Sequence, residues 1–242
     1  MRGQMLQALV MQVRGYRESS ALVQFFTREQ GRMAGVMRGL HRGRRPVTLQ
    51  PFRMGMLSVS GRGNLVNVNT FDDVVRFDLP GNALSAGFYV LELVKRALDE
   101  RQVEARVFDA SIRTLTALSV GEPLAPCLRD FESRLLSELG YGVDYASAGD
   151  AHEAVQADAY YQYLAQQGLQ RIVADHLTSE ASAVLPGWAL QAMSRGDFSD
   201  RRVGRYAQQL HQQALLPLIG TAPLVSRSLY QRRSPEPIRG AL

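Results

Sequence analysis

The sequence predicts an α+β protein in which a small N-terminal β-barrel precedes a mainly α-helical domain. Three observations carry this. Short apolar runs with strand-like alternation fill roughly the first 75 residues, and helical spacing of apolar residues replaces them after Pro80. Gly-rich turns punctuate the early runs. The chain has 242 residues, 45% hydrophobic and 21% charged, enough for one large or a few small domains with ordinary cores.

The runs "LQALVMQV" (6–13), "SALVQFFT" (20–27), "RMAGVMR" (32–38), "QPFRMGMLSVS" (50–60) and "NLVNVNTF" (64–71) read as strands. The turns between them are "GYRES", "REQG", an arginine-rich loop and "GRG". In 32–38, Met33, Gly35 and Met37 fall on one face and Ala34 and Val36 on the other. Five short strands in so short a span suit a closed barrel of the OB type, and an SH3-like barrel fits the pattern nearly as well. Beyond Pro80, "NALSAGFYVLELVKRALDE" (82–100) begins at a possible cap, Asn82, and spaces Leu84, Phe88, Leu91 and Val94 helically. Helices over 105–121 and 123–142 follow, the first stopping at Gly121 and the second at Gly140 and Gly142. Residues 143–178 suggest a small hairpin containing "YYQYL". "SEASAVLPGWALQAMSRG" and the stretch from about Ser199 to Ile219 return to helix. The domains expected are 1–78, a barrel, and 79–242, a helical domain with that hairpin inside it.

Charge is distributed unevenly. Residues 1–65 hold eleven Arg against Glu18 and Glu29, a net of +9; 66–200 carry a net of −10; 201–242 carry +6. Basic blocks of this kind point to a polyanion partner. The densest is "RGLHRGRRP" (38–46), where Arg38, Arg42, Arg44 and Arg45 surround His41 with no acid to balance them. Arg14, Arg17, Arg32, Arg53 and Arg62 stand at or near the ends of predicted strands. A barrel groove flanked by basic loops follows single-stranded nucleic acid, with arginines holding phosphates and aromatic rings stacking on bases. Phe26, Phe52 and Phe71 are candidate stacking rings, though each fits the core better.

Other chemistries find little support. His41, His152, His176 and His211 are scattered, no CxxC or HxxxH spacing exists, and no metal or other cofactor is expected. Cys127 is the only cysteine, so no internal disulfide can form, which fits a reducing cytoplasm. It reads as a small apolar residue on a helix rather than a reactive thiol. "SGRGNL" (60–65) lacks the Lys-Ser/Thr of a phosphate loop and reads as a turn. There is no nucleophile elbow, and the paired carboxylates Asp72-Asp73 and Asp99-Glu100 carry no sign of acid–base work. No run approaches the roughly 18 apolar residues of a membrane span, and the start shows no cleavage-site pattern. On 123–142, Arg129 and Arg134 lie beside Leu128, Phe131 and Leu135, where a basic residue at the rim of an apolar groove can receive an acidic, apolar peptide; a bundle helix with a salt-bridged flank explains the pattern better.

"YRESSALVQFFTREQGR" (16–32), "RGLHRGRRP" with "LQPFRMGMLSVSGRGNL" (49–65), "GFYVLELVKR" (87–96), "LRDFESRLLSELGYGVDY" (128–145) and "PLVSRSLYQ" (223–231) together resemble the RecO family of DNA repair proteins, in order and over nearly the whole chain. The resemblance implies an N-terminal OB-fold and a helical domain, and a non-catalytic mediator of recombinational repair in the RecFOR pathway. Such a mediator binds single- and double-stranded DNA, anneals complementary strands, and contacts the acidic C-terminal tail of single-stranded-DNA-binding protein. With RecR, and in some settings RecF, it promotes RecA loading. The loop at Arg38, Arg42, Arg44 and Arg45 matches the family's DNA-binding loop, and Arg129 matches an arginine near the tail pocket. Some members carry a four-cysteine zinc module after "LGYG"; residues 143–190 contain no cysteine, which places the chain with the zinc-free branch. The location implied is cytoplasmic and nucleoid-associated, with no membrane partner. Two rivals remain: an OB-fold RNA-binding module without a repair role, and a nuclease, which needs clustered carboxylates around a metal.

Overall fold

The computed structural model describes residues 5–16, 20–38, 49–61, 63, 65–165, 167–172 and 184–226. The chain forms two compact units, one from Met1–Gly121 with the chain from Ala222, the other from Glu122–Thr221. The change of period at Pro80 led the sequence reading to divide the chain at 78; the compact units divide at Gly121.

Five strands build the first unit: β1 (Met5–Tyr16), β2 (Ser20–Thr27), β3 (Gly31–Arg38), β4 (Arg53–Ser60) and β5 (Leu65–Arg76). They close into a barrel in the order β1-β2-β3-β5-β4, with β3 and β5 parallel and every other neighbour antiparallel. That order is the OB arrangement, so the choice left open with an SH3-like barrel is resolved. Alternation explains the closure: Leu6, Ala8 and Val10 of β1, Ala21, Val23 and Phe25 of β2, Met33, Leu57 and Phe71 fill one interior cluster. A bulge in β1 between Val10 and Gln12 adds one residue and re-phases the strand beyond it. Gly55 is forced by close approach, because a Cβ there would stand 2.2 Å from the carbonyl oxygen of Asp72.

Two helices belong to the same unit, α1 (Asn82–Ala97) and α2 (Ala105–Ser119). Gly81, at φ 56°, occupies the cap position expected of Asn82, which is instead the first helical residue; the left-handed backbone there suits glycine and no side chain caps the helix. Phe88 of α1 meets Phe52 edge-on at 4.9 Å, and Phe108 of α2 meets Phe26 at 5.4 Å. The guanidinium of Arg28 grips both oxygens of Asp109 at 2.9 and 3.0 Å. The returning chain is latched to α1: Arg96 donates to the carbonyls of Ala222 and Pro223, and Glu92 accepts from the amides of Val225 and Ser226 and from the Ser226 hydroxyl.

The second unit contains α3 (Leu124–Glu138), β6 (Ser147–Ala148), β7 (Glu153–Ala154), β8 (Tyr160–Leu164), β9 (Gly168–Arg171), β10 (Leu185–Pro186), α4 (Gly187–Ser194) and α5 (Arg201–Ile219). β8 and β9 form the expected hairpin, and β10 joins its other side. Here the sequence reading needs correction. Helix was expected through "SEASAVLPGWALQAMSRG", but Leu185–Pro186 is strand and helix begins only at Gly187. Pro186 disfavours helical backbone at the residue before it, and its own extended backbone makes it the cap of α4. Tyr161, Leu169, Leu185, Leu190, Met193, Phe198 and Leu210 are among the residues of this unit's core. Among the described residues no helix is long and apolar enough to cross a membrane.

Candidate nucleic-acid interface

Strand register fixes which barrel residues face outward. Ala21, Val23 and Phe25 point inward, so Ser20, Leu22 and Gln24 point out. Their cross-strand partners share that face: Tyr16, Arg14 and Gln12 on β1, and Arg38, Val36 and Ala34 on β3. β5 extends it with Leu65 beside Ala34 and Asn67 beside Val36. One end of this sheet therefore carries Arg14, Tyr16 and Arg38 around an apolar centre of Leu22, Val36 and Leu65, with Gln12, Gln24 and Asn67 at the margins. Tyr16 and Arg38 sit two strands apart across Ser20, within about 10 Å.

The electrostatics suit an anion. Arg14 and Arg38 are exposed, and among the described residues neither pairs with a carboxylate. With its amide oxygen toward Arg14, Gln12 accepts from both Nε and an Nη at 3.1 Å, which aims the guanidinium without neutralising it. Tyr16, half-buried, supplies a ring at the same edge. Sequence reasoning passed over Tyr16, although its i, i+2 spacing from Arg14 puts both on one strand face.

The other expected cations divide. Arg17, Arg42, Arg44, Arg45 and Arg62 lie outside the described residues. Arg32 is half-buried: its Nε donates to the Leu98 carbonyl at 2.9 Å, its own carbonyl accepts from the Arg101 amide, and burial pulls its pKa below the usual guanidinium range. It pins residues 98–101 along β3. Arg53 is ion-paired with Asp73, and its Nε is buried without a partner among the described residues. These two are structural where they stand. The candidate stacking rings are core: Phe26 is fully enclosed, and Phe52 and Phe71 are buried, the latter against Phe25.

In the second unit, Phe131 is fully buried and Arg129 nearly so, while Leu128 is half-buried. Arg129 donates to Glu132 Oε1 at 2.7 Å, and its Nε is buried with no partner among the described residues. Glu132 Oε2 lies 2.9 Å from His211 Nδ1, and His211 Nε2 lies 2.7 Å from the Tyr145 hydroxyl. The three residues expected to form one open patch are thus divided between the core and the surface of α3.

A basic surface that sequence reasoning did not single out begins α5. Arg201, Arg202 and Arg205 are exposed, as is Arg195 just before them. The Arg202 guanidinium sits 4.7 Å over the Trp188 ring, and Trp188 meets Tyr206 edge-on at 6.0 Å. This helix carries no acid in its first turn and no base in its last, the reverse of what its dipole favours. Asp200 caps it by accepting from the Arg202 amide at 2.7 Å. The +6 net charge of 201–242 was the available signal. Among the described residues no group of three or more His, Cys, Asp or Glu could hold a metal ion.

Residues 1–75 match the family model for the recombination protein O N terminal, and residues 80–202 that for its C terminal. The DNA repair protein RecO of Cellvibrio japonicus is 34% identical over 238 residues, covering 97% of this chain and all of the relative. Those of Pseudomonas putida strain F1 and Actinobacillus pleuropneumoniae are 37% and 34% identical over 228 and 235 residues, covering 93% and 95% of this chain and 96% and 95% of theirs.

Proposed function

This chain belongs to the RecO family, and on that premise we propose that it is a non-catalytic mediator of recombinational DNA repair that binds and anneals DNA strands. The observation that carries the reading is the outward face of the barrel, where Arg14 and Arg38, unpaired by carboxylates among the described residues, stand beside Tyr16. Two complementary strands repel through their phosphates. Guanidinium groups that neutralise part of both backbones lower that barrier and leave base edges free to pair. Arg42, Arg44 and Arg45 adjoin Arg38 in sequence and extend the same charge. The surface on α5 supplies a second place for a backbone.

Recruitment to coated DNA follows from contact with the acidic tail of single-stranded-DNA-binding protein, which raises the mediator's local concentration. Leu128, half-buried on α3, is the residue of the three that the tail would touch directly; Arg129, enclosed and held by Glu132, would act through the helix it braces. Phe131 would only support the helix from within. RecR, and RecF in some settings, would then join in loading RecA.

The test is strand annealing with DNA coated by its cognate binding protein, with and without that protein's C-terminal tail. The expected result is annealing that falls on tail removal and on Arg14→Ala/Arg38→Ala substitution. Annealing and DNA affinity unchanged by the double substitution would remove the barrel face from the mechanism. Stronger binding to matched RNA than to DNA in competition would favour an RNA-binding module.

A further inference from the structure

Trp188, the only tryptophan of the chain, stands half-buried at the start of α4, packed on the core of its unit, and its amide donates to the Ala157 carbonyl at 3.1 Å. Tyr206 of α5 meets the indole edge-on, at 83°, and so fixes its tilt. The Arg202 guanidinium covers the ring at 4.7 Å. Its side chain is nonetheless 63% exposed, so the guanidinium shields the indole on one face and is open to solvent on the other.

Positive charge around this stack is in excess. Arg201 and Arg205 lie one helical turn apart on α5, both exposed, and among the described residues neither pairs with a carboxylate. The nearby acids are already engaged. Asp197 accepts from the amide and hydroxyl of Ser199, and Asp200 accepts from the amide and an Nη of Arg202. The dipole of α5 disfavours cations at this end, so the helix itself gains nothing from them.

We infer that the stack is a binding site for the unpaired bases of single-stranded DNA. One base lies on the open face of the Arg202 guanidinium, as the third layer over Trp188, and Arg201 and Arg205 hold the flanking phosphates. The inference rests on the reading that the chain binds DNA strands, and it adds base contact to the backbone contact given there to α5. The N–H groups of a guanidinium lie in its plane, so those not held by Asp200 still reach the phosphate of the stacked nucleotide. A duplex is refused, because the faces of its bases are covered by neighbouring pairs. Stacking is tolerant of sequence, since every base has a π-face. It also leaves the Watson–Crick edge uncovered, so a strand held here stays able to pair.

The experiment reads Trp188 emission in the full chain, which reports this site whatever the barrel binds. The probes are a strand of about eight thymidines and a hairpin duplex of about eight base pairs, with anisotropy of the labelled DNA measured in parallel. The single strand should quench the emission saturably, and the duplex at equal occupancy should not. Arg202→Lys keeps the charge and leaves Asp200 to cap α5, but lacks the planar group. It should raise the midpoint of the fluorescence titration at least about fivefold. Arg201→Ala/Arg205→Ala, which leaves the stack whole, should raise the midpoint and flatten its salt dependence. Thermal melting checks that both variants stay folded. A strand that binds by anisotropy without changing Trp188 emission is held elsewhere and overturns this inference alone. Equal quenching by the duplex, or a midpoint indifferent to Arg202→Lys, overturns it in the same way. A strand that binds by neither measure overturns it together with the DNA-binding reading.

Discussion

Inside the second unit, Arg129, Glu132, His211 and Tyr145 form one hydrogen-bonded chain enclosed by the core. With the proton on Nδ1, His211 donates to Glu132 and accepts from the tyrosine hydroxyl, and among the described residues the Arg129 Nε is the buried polar atom of this chain left without a partner. Glu132→Gln removes the charge that balances the buried guanidinium and should destabilise the protein by about 3–5 kcal/mol in denaturant unfolding. Burial, partly opposed by the contact with the Ser133 hydroxyl, pushes the Tyr145 pKa up to about 12. A folded-state value above the ordinary value of about 10 means that the unfolded chain loses this proton first. Stability from this group is therefore whole below about pH 10 and declines as pH rises toward about 12. Tyr145→Phe should flatten that alkaline decline in the unfolding midpoint, and an unchanged slope would locate the titration elsewhere. None of this chain was legible in sequence, because Tyr145 and His211 stand 66 residues apart and neither has a periodic signal. Arg129 was noticed for its charge, but its burial depends on α5, which sequence spacing does not bring near α3.

The strands were readable because inward and outward residues alternate: each of the five predicted runs overlaps its strand closely. What failed at this scale failed for local backbone reasons, at Gly81 and at Leu185–Pro186. Which elements pack together was less legible, since the ring contacts Phe26–Phe108 and Phe52–Phe88 that tie α1 and α2 to the barrel are long-range. The latch on α1 is another such contact. Burial tends to raise the Glu92 carboxyl, but the donors from Ser226, Val225 and Arg96 outweigh it and hold it below the ordinary range. A depressed folded value contributes stability above the unfolded pKa and loses it as pH falls through the folded one. The chain at Ala222–Ser226 should thus loosen in acid, below about pH 4.5, before α1 itself melts. Hydrogen exchange should show the Val225 and Ser226 amides losing protection there, and losing it already at neutral pH in Glu92→Gln. Full protection in that variant would show that the carboxylate's charge is not what holds the segment.

Over the whole molecule the legible quantity was charge: +9, −10 and +6 along the three blocks of sequence. Its meaning depended on placement, because Arg32 and Arg53 are bound into the barrel while Arg14, Arg38 and the arginines of α5 are exposed. If both basic surfaces hold phosphates, each should register in the salt dependence of binding. For single strands the slope of log affinity against log salt shrinks by about 0.7 for each phosphate that is no longer neutralised. Arg42→Ala/Arg44→Ala/Arg45→Ala, and separately Arg201→Ala/Arg202→Ala/Arg205→Ala, should therefore each flatten it by about 2 if every arginine meets one phosphate. Asp200 stays in place to cap α5, so the second variant keeps its helix. Annealing makes a harder demand, since two strands must be held together. Each variant should still bind an oligonucleotide short enough for one surface, yet anneal complementary strands poorly. Full annealing by the α5 variant, with the slope of the parent, would leave the barrel as the sole DNA surface. The arginines of α5 would then need a different polyanion to explain their place at the wrong end of the helix dipole.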